Sequence, residues 1–262
     1  MKLGYSAIFW QEPDLERCLA ELAAAGWEGW ECRLPLDWLG PPARVRRVCA
    51  DAGMPLAVYT ACGNPEDRSW SNTEANRRRI EFAAEMEADC FMFMTGPKPA
   101  GRAVTAGDLQ AAAEAADTWA EYGATRGVEL SYHIHTNTLV DSMADWRAYL
   151  GMLQRAQLCI DVSHAQLWGA DPVAALREFA PRLNYVHLQD YSSTSRDPDG
   201  TYQPVWCDVG AAEAVDFRAV MAVLEEIGFQ RWVTACPRRG DEPLAEARRS
   251  RTTRDYLRHL GY

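Results

Sequence analysis

The sequence predicts an α/β chain folded as a (β/α)8 TIM barrel, and three observations carry that reading. Short apolar runs alternate with amphipathic or Ala-rich stretches eight times in 262 residues. The repeat of about 33 residues suits parallel strands joined by right-handed helical crossovers. No GxGxxG follows the first apolar run, which counts against the runner-up, a doubly wound open sheet. A chain of this length is expected to form one barrel domain over residues 1–262, with no linker to divide it.

The elements follow in order. A first strand at Lys2–Phe9 leads to a helix at Asp14–Ala25 that Gly26 stops. The second strand, Trp27–Cys32, precedes a helix opened by Gly40-Pro41-Pro42, running over Pro41–Ala52 and closed by Gly53. Leu56–Thr60 and Cys90–Thr95 are the third and fourth strands, followed by helices at Thr73–Glu87 and Ala106–Arg126, with Gly127 as a stop. The fifth strand, Val128–His135, precedes a helix at Ser142–Arg155. The sixth, Leu158–His164, precedes Pro172–Phe179, whose start is marked by Asp171-Pro172. The seventh, Tyr185–Asp190, leads through Tyr191–Gly210 to a helix at Ala214–Ile227 and the stop Gly228. That long connection, rich in Ser, Asp, Pro and Gly, reads as a loop over the barrel mouth. Trp232–Pro237 and a helix at Leu244–Leu260 complete the series.

Charge and composition exclude several partners. With 27 Lys and Arg against 37 Asp and Glu, the net charge is −10, the wrong sign for a nucleic acid or an anionic membrane. The basic clusters Arg44, Arg46, Arg47 and Arg77, Arg78, Arg79 have acidic neighbours and read as solvated helix faces. No apolar run approaches the roughly 18 residues of a membrane span, and the N-terminus enters a strand directly, so a cytoplasmic protein is expected. The eight cysteines (18, 32, 49, 62, 90, 159, 207 and 236) show no CxxC and are expected as free thiols, most of them in the core.

In a barrel the side chains alternate between interior and helix layer, and chemistry gathers at the C-terminal strand ends. In Glu129-Leu130-Ser131-Tyr132-His133-Ile134-His135 the polar parity places His133 and His135 toward the mouth. In the next strand Asp161 lies inward with His164 at the tip, and in the seventh His187 and Gln189 point inward. Four of the five histidines thus fall on three neighbouring strand ends with one carboxylate. Burying them together is costly without a compensating partner, and a divalent cation favours neutral imidazole and ionised carboxylate at once. Cys236, at the end of the eighth strand, reads equally as a further ligand or a packed thiol. Glu31, Tyr59, Cys62, Lys98 and Arg102 follow earlier strands; Lys98 and Arg102 could grip a phosphate or carboxylate.

These residues carry a resemblance to the sugar-phosphate isomerase/epimerase superfamily, the xylose isomerase-like TIM barrels, and within it to the inosose dehydratase type. Tyr132-His133-Ile134-His135-Thr136-Asn137-Thr138 is similar to that group's YHxHxGT, and Asp161-Val162-Ser163-His164 to its DTGH. Tyr185-Val186-His187-Leu188-Gln189-Asp190 resembles HVHLKD, and Val215-Asp216-Phe217 with Gly228–Val233 resembles DF…GYxGW. Thr136–Asp141 also looks like the HPNTLxD stretch of 3-dehydroshikimate dehydratases. The resemblance implies a divalent metal, usually Mn, Co, Mg or Zn, held by Glu, Asp, His and Glu on the last four strands. It carries the Asp role to Asp161 and the His role to His187, while His133 and Cys236 stand at the two Glu positions. Those Glu often also move the proton, so His and Cys replace them or the site is altered or lost; Glu129 is a poor substitute by position, while Glu242, just past the strand, could fold back.

The expected function is a metal-dependent isomerase or epimerase acting on a sugar or cyclic polyol ketone, by proton abstraction α to a carbonyl through an enediolate. His133, Asp161, His187 and Cys236 are the expected ligands, a set that favours Zn, Co, Mn or Fe. His135 or His164 is the expected base or acid, with His133 in the family's acid–base position. Glu31, Tyr59, Lys98, Arg102 and Gln189 are expected to contact substrate. Rival readings are a dehydratase of the inosose or 3-dehydroshikimate type, a non-haem Fe(II) oxygenase face, and a ligand-binding barrel that has lost its metal. A homodimer is the expected assembly.

Overall fold

The computed structural model describes residues 1–212 and 214–262. Eight parallel strands close a barrel: β1 (Lys2–Ser6), β2 (Gly29–Cys32), β3 (Leu56–Thr60), β4 (Cys90–Phe93), β5 (Glu129–His133), β6 (Gln157–Asp161), β7 (Leu183–Leu188) and β10 (Trp232–Ala235), with β10 pairing back onto β1. Each coincides with an expected strand, most ending a residue or more earlier. The outer layer holds α1 (Leu15–Ala25), α3 (Pro42–Ala52), α4 (Trp70–Glu85), α5 (Ala106–Ala124), α6 (Met143–Met152), α8 (Pro172–Phe179), α9 (Phe217–Glu226) and α10 (Pro243–Leu260). Two short helices, α2 (Leu36–Leu39) and α7 (Val162–Leu167), sit in βα connections. Among the described residues no helix is long and apolar enough to cross a membrane.

The expected stops hold. Gly26 and Gly53 end α1 and α3 with φ of 92° and 66°, a region that costs a β-carbon dearly. Asp14 caps α1 by accepting from the Arg17 amide, and Thr105 with Asp108 forms a reciprocal cap on α5. Strand alternation separates two cores. Leu3, Tyr5, Phe91, Phe93, Leu130 and Tyr132 pack under the helices, while Val58, Cys90, Met92, Cys159, Tyr185 and Trp232 form a separate cluster that fills the barrel. Gly29 makes room for the Trp232 indole, since a β-carbon there would lie 2.5 Å from its ring.

Three expectations are corrected. Residues 191–210 are not a loop. They form an antiparallel hairpin of β8 (Asp190–Arg196) and β9 (Tyr202–Cys207), turned at Asp197-Pro198-Asp199-Gly200 with Gly200 at φ 88°. The Pro-Asp-Gly turn signal outweighs the polar composition. Asn137 clamps this hairpin with its amide, donating to the Tyr202 carbonyl at 2.9 Å and accepting from its N–H at 2.8 Å. Arg79 is not on a solvated face. It is buried, donating to the carbonyls of Thr60 (2.6 Å) and Leu34 (3.1 Å), while Arg77 and Arg78 do pair outside with Glu74. Finally, β6 stops at Asp161, and His164 lies in the first turn of α7 rather than at a strand tip.

Helix α10 carries a buried acid. Glu246 accepts from the Trp10 indole at 2.7 Å, and its other oxygen has no partner. Burial lifts its pKa from 4.5 to about 7. The folded state therefore holds the proton more tightly than the unfolded chain, so stability is lost as pH rises from 4.5 to about 7, by about 3 kcal/mol. Glu246→Gln keeps an acceptor for Trp10 and should melt several degrees above the parent at pH 8 and together with it at pH 4.5. Thermal denaturation across pH checks this. A constant difference would mean that Glu246 is not titrating with folding.

Candidate active site

The site forms where the chain leaves β5, β6 and β7. Ser131 bonds Asn184 inside the barrel at 2.6 Å, and two residues on, His133 points the same way at the strand's end. Cys159 and Asp161 repeat the pattern on β6, and Tyr185 and His187 on β7. All of these side chains are buried.

Asp161 ends its strand and caps the next helix at once. One oxygen, Oδ1, accepts from the Ser163 amide (2.9 Å), the Ser163 hydroxyl (2.6 Å) and the His164 amide (3.3 Å). The other, Oδ2, is buried with no hydrogen-bond partner. Around it lie His133 Nε2 at 3.6 Å, His187 Nδ1 at 3.8 Å and His164 Nε2 at 4.0 Å. These separations are too long for hydrogen bonds and near the roughly 3.4 Å between two ligands of one tetrahedral ion. Both nitrogens of His133 are likewise buried without partners. Asp161, His187 and Cys236 bring ligand atoms within 4.8 Å of one another, as do His133, Cys159 and His187.

Glu31 at the end of β2 orients His187. It accepts from the His187 Nε2 side at 2.6 Å, from Ser6 at 2.7 Å and from the Tyr185 hydroxyl. Burial alone would raise its carboxyl, but His187 beside it and these hydrogen bonds bring it down to about 2. Burial disfavours the His187 imidazolium, yet Cys236 and Glu31 hold its pKa well above the usual histidine value. Burial also pushes the Cys236 thiol up to about 11, so the partner charged at neutral pH is Glu31. With Nε2 facing Glu31, Nδ1 is the ring atom left for the cavity, and the raised pKa keeps a proton there that a cation would have to displace.

The other two imidazoles are fixed in opposite senses. His135 lies beyond the end of β5, not on the strand, and its Nδ1 donates to the Thr136 carbonyl at 2.6 Å, leaving the Nε2 lone pair free. His164 Nδ1 accepts from the Thr136 amide at 3.2 Å, which places the proton of the neutral ring on Nε2. The two rings lie 4.0 Å apart, and Trp206 from β9 meets His164 edge to face at 5.2 Å. Burial lowers the pKa of His133, His135 and His164, keeping them neutral.

The structure therefore brings His133, Asp161, His187, Cys236, His135, His164 and Glu31 together. Other expected substrate contacts are employed elsewhere. The Tyr59 ring faces the helix layer against Phe82, and its hydroxyl donates to the Leu34 carbonyl at 2.7 Å, because the outward parity of β3 falls on it. Lys98 neutralises the buried Asp141. Arg102 forms a two-pronged pair with Asp108 at the start of α5, at 2.6 and 2.7 Å. Cys62 is exposed and Gln189 is buried at the foot of the hairpin. Glu129 pairs with Arg231, and Glu242 is exposed at the start of α10, so neither enters the site. Sequence reading missed Arg33, Cys159 and Tyr185, although each shares parity with a neighbour it did select: Glu31, Asp161 and His187.

An all-parallel eight-stranded barrel with a carboxylate, imidazoles and a thiol converging at its strand ends is the architecture of a barrel enzyme, with its reactive groups gathered at the C-terminal strand ends. Residues 19–260 match the family described as Xylose isomerase-like TIM barrel, and the chain belongs to that family. The inosose dehydratase of Klebsiella pneumoniae subsp. pneumoniae is 23% identical over 279 aligned positions, covering 89% of this chain and 88% of the relative. Two solved structures share the fold. One is the probable 3-DHS dehydratase AsbF of Bacillus anthracis, with TM-score 0.77, 14% identity, and 98% and 99% of the two chains covered. The other is the 3-keto-D-glucoside 4-epimerase YcjR of E. coli, with TM-score 0.74, 18% identity, and 99% and 98% covered.

Proposed function

We propose that this chain is an enzyme of the isomerase, epimerase or dehydratase kind that removes a proton α to the carbonyl of a cyclic polyol or sugar ketone, with a divalent metal ion as cofactor. The observation that carries the reading is the orphaned Asp161 Oδ2, ringed by three imidazole nitrogens at 3.6–4.0 Å. A buried carboxylate oxygen and a buried imidazole without partners are costly unless a cation completes them. Asp161, His187 and Cys236 would hold the ion, with His133 closing the set, and these donors suit Zn, Co or Fe better than Mg. What the ion supplies when bound is Lewis acidity toward a carbonyl oxygen.

The remaining work falls to the protein. His135 offers a free lone pair at Nε2 as the base, and His164 offers a proton at Nε2 as the acid. Glu31 keeps His187 in one orientation, and Trp206 covers His164 against water. With their rings 4.0 Å apart, base and acid serve one face of a substrate. That favours loss of a proton and a hydroxyl from the same face over epimerisation, which needs groups on opposite faces. The relatives named inosose dehydratase agree with dehydration.

The test is incubation of protein loaded with Mn, Co or Zn in D₂O with inososes and 3-dehydroshikimate. Release of water, with deuterium entering the α position of recovered ketone, is expected. No exchange and no dehydration with any metal would refute the proposal.

A further inference from the structure

Beside the imidazole cluster lies a cleft of about 490 Å³ bounded by Arg33, Asn64, Thr95, Asn137 and Thr138. It adjoins the proposed base, because Thr138 donates to the His135 carbonyl at 2.8 Å. In a chain of net charge −10, two arginines and no carboxylate line it. Arg79 is committed to backbone carbonyls, including that of Arg33. Lys98, the other nearby cation, is committed to Asp141. Arg33 is different. Among the described residues its guanidinium has neither hydrogen bond nor ion pair, and its Nε is sealed from solvent without an acceptor. Burial pulls its pKa below the ordinary arginine value. Glu31 works the other way, so the arginine remains charged, and a half-buried guanidinium with no hydrogen-bonding partner is costly to leave unmet.

We propose that Arg33 is a substrate-binding residue that grips a carboxylate, so that the ketone handled by this barrel is a polyhydroxylated ring acid rather than a neutral polyol. This rests on the proton-abstraction reading above and deepens it by naming the substrate class. The planar fork of a guanidinium matches a carboxylate in two parallel hydrogen bonds. One free guanidinium balances one negative charge. A phosphate dianion asks for a second free cation, which the cleft lacks, since Arg79 is tied to carbonyls. Asn64, Thr95 and Thr138 supply further polar groups around the ring hydroxyls.

The experiment measures binding without turnover, by calorimetry on the full chain, with quinate, myo-inositol and inorganic phosphate as probes. Quinate should bind about tenfold or more tightly than myo-inositol. Arg33→Met should erase that advantage, leave myo-inositol unchanged, and melt no lower than the parent. Arg33→Lys should recover part of the preference. Equal binding of the two rings, no binding of quinate, or a preference surviving in Arg33→Met overturns the proposal. A fall of several degrees in the melting temperature of Arg33→Met overturns it too, because Arg33 would then serve the fold. Phosphate binding more tightly than quinate overturns the carboxylate assignment. Failure of deuterium exchange would strike the reaction and leave this binding result standing.

Discussion

Asp161→Asn should yield a folded barrel that loses its divalent ion on dialysis and turns over roughly a thousandfold more slowly or worse, the scale of several kcal/mol of lost charge stabilisation. The substitution is chosen for what it spares. The Asn side-chain oxygen can still accept from the amides of Ser163 and His164, so α7 keeps its cap and the melting temperature stays near that of the parent. What changes is the oxygen at the centre of the three imidazoles, which becomes an amide nitrogen with no lone pair to give. Asp161→Ala should show the same loss of ion plus about 1 kcal/mol of instability from the missing cap. His187→Ala should release the ion as well. Metal analysis after dialysis, alongside the D₂O assay, decides the matter. Full metal content in both Asp161→Asn and His187→Ala would defeat the ligand assignment.

The second large effect is on stability. Glu31→Ala should lower the unfolding free energy by about 3–5 kcal/mol, read as a fall in the urea midpoint. Glu31 accepts from Ser6, Tyr185 and His187 inside the barrel, although the Tyr185 hydroxyl also lies 3.1 Å from His187 Nε2. Removing one carboxylate therefore strands three donors in a space closed to water. His187 would be left buried without its counter-charge, and its pKa should drop toward those of the other buried imidazoles, where burial is the dominant influence. A midpoint within about 1 kcal/mol of the parent would show that the barrel relaxes around the gap, and would reduce Glu31 to a minor contributor.

The barrel was readable because its signals are local and repeated. Several apolar runs are bounded by glycine stops or Pro-marked starts, and Gly26 and Gly53 do sit in the left-handed region. Period-two parity then carried the reading from strand to site: Ser131 and His133, Cys159 and Asp161, and Tyr185 and His187 face the interior as alternation requires. Parity fails where a strand ends sooner than its apolar pattern, and that point depends on tertiary contacts. His135 and His164 both lie past such ends, so their rings are placed by Thr136 rather than by the pleat. Pairing between distant side chains is equally invisible in a single sequence. Lys98 looked free for a substrate because nothing in the sequence says that Asp141 is buried beside it. Arg33 is the opposite case: an arginine after a strand reads as surface, and only three dimensions reveal that its guanidinium has no hydrogen-bonding partner among the described residues.

The division of labour within the Asp161 carboxylate has a consequence for ion choice. Since Oδ1 is spent on the start of α7, the residue can contact an ion through a single oxygen and cannot chelate it edge-on. The neighbouring donors are nitrogen and sulfur. Calcium, which takes roughly six to eight oxygens and often straddles a carboxylate, would find no such shell at this cluster among the described residues. On the proposed reading, selectivity against calcium would come from the same hydrogen bonds that begin a helix.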